Sequence, residues 1–495
     1  MKKTAFIFIA VFLCLGNIVF AQRHKVPTEK INVMTDVTSM QMDLVSFGNI
    51  AYEAILSTDI SDFSELTPIF INKYVDNVYD STLCITLDEF INYEFDEYYS
   101  HYNFLKLYAL GPDELILTVY YPNSTNRFVF FRIKNGEVVS AKGYSLQDQH
   151  AYEQQYYAFN GKDRVYVAFN GSKRLSGRGR DLYLMAFDLD GNLINSVTNH
   201  TDENDWLSGL VVAGDYVYFS MKTGAYAEKL AIIQFSKDLD KNKIWAYKHF
   251  NSDIRAWDLN ASEENLIVSI LKEDDDTTHI ARYSADGTFK SSYEMDIDLK
   301  GFPKQHSFYT YPKCKVSPDG IAFFGQILSP DEYWEYIDTN HYYLAFEMNW
   351  NGNKTYEHRF SEYDCLGLRN YELINGKYFC IAEDIYENYG ISDYDTGIGH
   401  IAYNYLVEDI ANDTDFVTFT KTDINPFAEP QNAEEKQAYD SSLKYWQDNL
   451  AVDPEPIPDW DFSYTFGKIH INWQNVRPDS DEVTSTIPLF SFSER

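Results

Sequence analysis

Positive charge is in short supply. Lys and Arg total 41 against 75 Asp and Glu, a formal net charge of −34 over 495 residues. This excludes nucleic acid and anionic membrane surfaces as partners on electrostatic grounds, and the acidity reads as a solubility device. Cysteine is also scarce, with five in the chain. Cys14 falls in an N-terminal apolar run without the small residues that lipidation would need before it. Among Cys84, Cys314, Cys365 and Cys380 no pair has CxxC spacing, so neither zinc nor a redox motif is indicated. Cys365 and Cys380 lie too far apart along one hairpin ladder to bond. Cys314–Cys380 is the one bridge to check, against the simpler expectation of buried free thiols. No apolar run after residue 20 is long enough to span a bilayer. The chain has no GxSxG, HExxH, P-loop or dinucleotide fingerprint. Carboxylates are too numerous for a glycosidase pair to stand out. Neither a metal nor a cofactor is expected.

The N-terminus has the form of an export signal. Lys2 and Lys3 precede an apolar run from Ala5 to Phe20, and Ala21 offers a small residue before Gln22. Residues 1–21 are therefore read as a signal peptide and 22–37 as a linker. The Lys-Lys start and Ala-Gln junction are similar to those of exported Bacteroidetes proteins, and the expected location is periplasmic, outer-membrane-associated or secreted. Aromatics make up 17% of the chain, with 40 Tyr and 34 Phe, too much buriable surface for a disordered protein.

The dominant pattern is a repeated hairpin. DLYLMAFDLDGNLINS (181–196) places two extended segments around Asp190-Gly191, and such a turn needs the positive φ that Gly supplies. Its first strand is apolar on both faces: Leu182, Leu184 and Ala186 point one way, Tyr183, Met185 and Phe187 the other. That predicts a strand sandwiched between two layers. Copies turn at Asn135-Gly136, Asp240–Asn242, Asp286-Gly287 and Asn351-Gly352, with fainter ones near Asp88 and Asp409. A second hairpin precedes each, its second strand starting near 50, 115, 165, 216, 266, 321 and 378. A period of four antiparallel strands repeated about seven times predicts an all-β fold, a β-propeller of about seven four-stranded blades over 38–422. Closure into a ring explains the two-sided apolar strands. Residues 423–495 form an extension: a helix over Asn432–Leu450 with Ala433, Ala438, Leu443 and Trp446 as its apolar stripe, then a hairpin around Gly467-Lys468.

In such a ring the turns within hairpins share one rim, and the longer connections Asn170–Arg180, Lys272–Thr278, Leu328–His341 and Glu383–His400 share the other. Binding residues concentrate on loops held by a rigid scaffold. His101, His150, His200, His249 and His306 recur at spacings of 49, 50, 49 and 57 residues, in a chain with 11 His. They are candidates for ligand contact or proton transfer on the longer-loop rim, although duplication of one packing histidine gives the same spacing. Arg174, Arg178 and Arg180 form a basic loop suited to carboxylates or sulfates, or to the protein's own acidic surface. Trp206, Trp257 and Trp334 are candidates for stacking on sugar rings; blade packing is the plainer account. Asp188, Asp190 and Asn192, like Asp238, Asp240 and Asn242, mimic the start of a calcium loop but lack its later ligands.

AFDLDGNLINS, QFSKDLDKNKIWAY and RYSADGTFKSSY resemble the repeats of secreted bacterial β-propellers of the broad SBBP-like group, over roughly residues 40–420. The resemblance implies the fold and no particular reaction. Two functions stand against each other. One is a monomeric, non-catalytic platform binding a protein or glycan through the longer-loop rim. The other is a carbohydrate-active enzyme, by analogy with propeller polysaccharide lyases, in which a rim His or Tyr is the base and an Arg from 174–180 neutralises a uronate.

Overall fold

The computed structural model describes strands and one helix between residues 31 and 474, with most of the tight turns joining the strands and residues 422–429. The first strand, β1, is Ile31–Val37. The first blade follows as β2 (Ser39–Phe47), β3 (Ile50–Thr58), β4 (Ile69–Val75) and β5 (Val78–Leu87). The second is β6 (Phe104–Gly111), β7 (Glu114–Tyr121), β8 (Arg127–Lys134) and β9 (Glu137–Leu146). The third is β10 (Gln149–Phe159), β11 (Val165–Lys173), β12 (Asp181–Phe187) and β13 (Leu193–Asn199). The fourth is β14 (Trp206–Ala213), β15 (Tyr216–Thr223), β16 (Lys229–Ser236) and β17 (Asn242–His249). The fifth is β18 (Ile254–Ala261), β19 (Asn265–Lys272), β20 (Thr278–Ser284) and β21 (Phe289–Ile297). In the sixth the innermost place is split between β22 (Ser307–Phe308) and β23 (Lys313–Val316), both paired to β24 (Gly320–Leu328), with β25 (His341–Asn349) and β26 (Lys354–Glu362) outside.

Blades built of consecutive strands number six among the described residues, not the seven expected. The remaining sheet is composite: β27 (Gly367–Ile374), β28 (Lys377–Glu387) and β29 (Ile398–Val407) are completed on the outside by β1. Innermost strands pack side by side, β2 on β6, β6 on β10, β10 on β14, β14 on β18 and β18 on β23, while β27 packs on β24 and on β2. The molecule is an all-β propeller with a C-terminal helix.

The sandwiched strand behaves as its sequence demands. In β12, Tyr183, Leu184, Met185, Ala186 and Phe187 are all buried. Tyr183, Met185 and Phe187 join a core shared with Ile116 and Phe130 of the second blade. Leu184 and Ala186 join one shared with Leu207 and Phe219 of the fourth. Truncating such a large side chain to Ala costs about 3–5 kcal/mol. The second strands of the hairpins upstream begin at Ile50, Glu114, Val165, Tyr216, Asn265, Gly320 and Lys377, each within a residue of the sequence expectation.

Several expectations need correction. The first blade turns at Asp76-Asn77, not near Asp88, since Val75 pairs with Val78. Asp76 takes the left-handed conformation at φ 51°, held by its N–H on the Asn49 carbonyl at 2.9 Å, so this turn carries no glycine to advertise it. The hairpin expected near Asp409 is not formed: β30 (Val417–Lys421) pairs with β21 of the fifth blade. The place outside β29 goes to β1, from residues expected to be a linker. Of the hairpin expected around Gly467-Lys468, 462–468 lie outside the described residues. β31 (Trp460–Asp461) pairs with β9 and β32 (Ile469–Gln474) with β5, so they extend different blades. Cys314 is a buried free thiol, which removes the Cys314–Cys380 bridge.

The helix, α1 (Ala433–Asn449), starts where expected, with Asn432 accepting the Glu434 N–H at 2.9 Å as a cap. Its buried side keeps Leu443 of the expected stripe but not its alanines, and the Trp446 side chain lies outside those described. Ala433 and Ala438 are exposed, while Tyr439 and Leu443 are half-buried, and Tyr439 packs on the core of the third and fourth blades. The wide phenol ring covers more apolar surface than a methyl group one residue earlier on the helix.

Candidate functional site

The two rims differ in what their connections do. Within hairpins no connection between strand ends exceeds five residues, the length of 188–192 between Phe187 and Leu193. These turns bind the preceding blade. Asp188 folds its own turn by accepting the N–H of Asp190 at 2.9 Å and of Asn192 at 2.8 Å. The turn leans on the second blade. Arg132 donates to the Asp190 carboxylate at 2.6 Å, Ser140 Oγ to the Asp190 carbonyl at 3.0 Å, and Lys142 to the Asn192 side chain. Gly191, at φ 77°, lies so close to Phe130 that a Cβ would sit 2.7 Å from the ring.

The pattern recurs around the ring. Between the third and fourth blades Arg164 reaches Asp238 at 3.3 Å, Asn195 donates to the Asp238 carbonyl at 2.9 Å, and Tyr166 to the Lys237 carbonyl at 2.8 Å. Between the fourth and fifth, Tyr218 donates to the Ala285 carbonyl at 2.9 Å and Trp245 to that of Gly287 at 3.1 Å. Between the fifth and sixth, Tyr293 donates to the Trp350 carbonyl at 2.8 Å, and Arg282 stacks 4.0 Å above the Trp350 ring. The Asp residues that mimic calcium loops are thus turn and inter-blade contacts. Among the described residues no His, Cys, Asp or Glu cluster could hold a metal ion. Burial pushes the hydroxyls of Tyr166 and Tyr218 well above their ordinary range, as expected of donors shut between blades. Glu114 is held below the usual carboxylate range, first by its hydrogen bond from Arg132.

The junction of the first and second blades departs from this pattern. Lys73 stands opposite Ser81 just before a bulge, as Arg132 stands opposite Ser140. The equivalent donors are present. The facing turn of the second blade, however, is only Asn135-Gly136 between Lys134 and Glu137, and it leaves a cleft of about 300 Å³. Tyr52, Lys73, Ser81, Asp113 and Asn135 supply its polar lining, over Ile71, Leu83, Leu115 and Ile133. Lys73 turns instead to Asp113 at 2.7 Å, and Ser81 to its neighbour Asp80 at 2.9 Å. Tyr52 donates to the Pro112 carbonyl. Its phenol is pushed far above its ordinary range by burial and then by the charges of Asp113 and Asp80. No sequence motif singles these residues out, although the shortness of this turn beside DLDGN is visible in the sequence.

A third polar group lies on the innermost strands. Asp43, buried on β2, accepts from Lys106 Nζ at 2.8 Å, the Leu107 N–H at 2.8 Å and Asn370 at 2.9 Å. Ser46 donates at 2.9 Å to Glu372, which also takes Lys315. Strands β2, β6, β23 and β27 are tied by these bonds, and the ring is closed where its two ends meet. The Cys314 thiol on β23 is pushed up by burial, so it is not a poised nucleophile.

Four of the residues nominated from sequence lie on described strands. His150 is the second residue of β10, paired with Ser172 near the end of β11. His249 is the last residue of β17, paired with Lys229. The first is on an innermost strand and the second on an outermost one, so these two histidines occupy different places in the repeat. Trp206 opens β14, and Trp257 lies within β18 opposite Ile270. Strand β11 runs to Lys173, which shortens the basic loop expected at Asn170–Arg180 to 174–180. His101, His200, His306, Arg174, Arg178, Arg180 and Trp334 lie outside the described residues.

No protein-family model matches this chain, and no curated protein matches it. Solved structures do. A periplasmic gluconolactonase of Pseudomonas aeruginosa aligns with a TM-score of 0.40 at 11% identity, over 75% of this chain and 99% of that one. An oligogalacturonate lyase in complex with manganese gives 0.36 at 12%, over 77% and 99%. The WD40 domain of SCAP from fission yeast gives 0.36 at 8%, over 76% and 98%. The likeness is one of architecture. In the described residues no helix is long and apolar enough to cross a membrane.

Proposed function

We propose that this protein is an exported, monomeric binding platform that takes a protein or glycan ligand on the rim of its long connections. The observation that carries the reading is the asymmetry of the two rims. Turns within hairpins are spent on holding neighbouring blades. Between blades and between hairpins, strand ends are joined by 59–68, 88–103, 329–340 and 388–397, lengths well beyond those needed to join adjacent strands. Long connections on a rigid ring are where recognition residues are found. The test is a glycan array probed with the full exported chain and with a variant in which 329–340 and 388–397 are replaced by short turns. Binding present in the first and lost in the second is expected. Equal binding by both overturns the reading.

A polysaccharide lyase is the second reading, and one observation favours it. Because His150 pairs with Ser172, the loop bearing Arg174, Arg178 and Arg180 leaves β11 beside that histidine. A carboxylate-neutralising Arg and a base are the two groups a lyase needs facing each other. Incubation with anionic polysaccharides separates the readings. New absorbance from unsaturated uronate, lost in His150→Ala, supports the lyase, and no absorbance with any of them removes it.

A further inference from the structure

We propose that the cleft between the first and second blades binds a neutral polyol the size of a monosaccharide. This site lies on the tight-turn rim and does not depend on the function proposed for the other rim. At the next two junctions the equivalent place is filled by the chain itself. Arg132 and Ser140 hold the carboxylate and carbonyl of Asp190, and Arg164 and Asn195 hold those of Asp238. The first blade keeps the matching donors, Lys73 and Ser81, at the same register positions. Its neighbour's Asn135-Gly136 turn leaves the space before them as a cleft of about 300 Å³, at the small end of the range for ligand sites.

The chemistry of the lining selects the ligand. Lys73 is paired with Asp113, so the pair carries no net charge, and a molecule at −34 repels anions at longer range. An anion is therefore disfavoured. Lys73 and the Asn135 amide retain donors, Asp113 retains an acceptor oxygen, and the Ser81 oxygen, whose proton goes to Asp80, retains acceptor lone pairs. Donors and acceptors set side by side suit vicinal hydroxyls, each of which gives and takes a hydrogen bond. Ile71, Leu83, Leu115 and Ile133 supply the apolar floor on which the C–H face of a sugar ring rests.

The test is saturation-transfer NMR and calorimetry on the full chain, with neutral hexoses, pentoses and inositol as probes and glucuronate as the anionic control. At least one neutral probe is expected to bind with Kd on the order of 1 mM, what about a dozen heavy atoms of ordinary efficiency provide. Asp113→Asn exchanges one acceptor oxygen for an amide donor and leaves the charge of Lys73 unbalanced. It should weaken the neutral probe at least ~10-fold and admit glucuronate. Replacing Asn135-Gly136 by the five residues Asp188–Asn192 should plug the cleft and abolish binding, with the circular dichroism of the parent. The proposal is overturned if no neutral probe binds the parent. It is equally overturned if glucuronate binds the parent as well as they do, or if Asp113→Asn leaves both affinities unchanged.

Discussion

Gly191 turns the chain, as Asp190-Gly191 announces in the sequence, and it also gives Phe130 a surface without a Cβ. The second role is invisible in one dimension because the aromatic partner comes from another blade, as do Trp245 for Gly287 and Tyr293 for Gly352. The two roles are separable by experiment. Gly161 has a similar φ, 72°, with nothing within 4 Å of where a methyl would stand. Gly161→Ala should cost only the left-handed penalty, about 1–2 kcal/mol. Gly191→Ala should cost about 1–3 kcal/mol more, from overpacking on Phe130. Urea denaturation of both variants measures the difference, and a double variant with Phe130→Ala, which removes the Cγ and Cδ1 nearest the added methyl, should fall short of the summed losses. Strict additivity would rule out the clash. The cleft residues are hidden in the sequence for a related reason: Lys73 and Ser81 look like ordinary strand polars until their register is compared with Arg132 and Ser140.

At the scale of elements, strands were legible wherever a glycine marked the turn and both flanks were apolar. Legibility failed where the turn used Asp76-Asn77, and where a strand sought a distant partner. A sequence pattern gives the conformation of β30, β31 and β32 but not the edge each will choose, since the ladder is made by backbone groups common to every strand. These late strands cap edges. Strand β32 covers β5 and β31 covers the end of β9, edges that would otherwise offer unpaired N–H and C=O groups to another molecule. Truncation after residue 459 should therefore make the protein self-associate with rising concentration, measured by light scattering after size-exclusion chromatography. A truncated chain that stays monomeric and as stable as the parent would show that the capping has no such effect.

At the scale of the whole molecule, the last stretch of the chain runs back around the perimeter. It meets the fifth blade through β30, the fourth through α1, the second through β31 and the first through β32. The other terminus settles far from its neighbours in sequence. Ile31 pairs with Asn404, a separation of ~370 residues, whose closure costs about 2 kcal/mol more in chain entropy than that of a loop a tenth as long. Each of the six consecutive blades can pair its strands from local sequence. The composite sheet cannot, and its N-terminal strand, the earliest of the described strands in the chain, has to wait for the last hairpin. Pulsed hydrogen exchange during refolding should find the amides of Ile31–Val37 among the last to gain protection. Early protection there, before that of β27–β29, would overturn this order. Until that pairing forms, the outer edge of β29 is left without a partner strand. The interval in which this acidic protein is most exposed to aggregation is thus set by the arrival of the seven residues of β1.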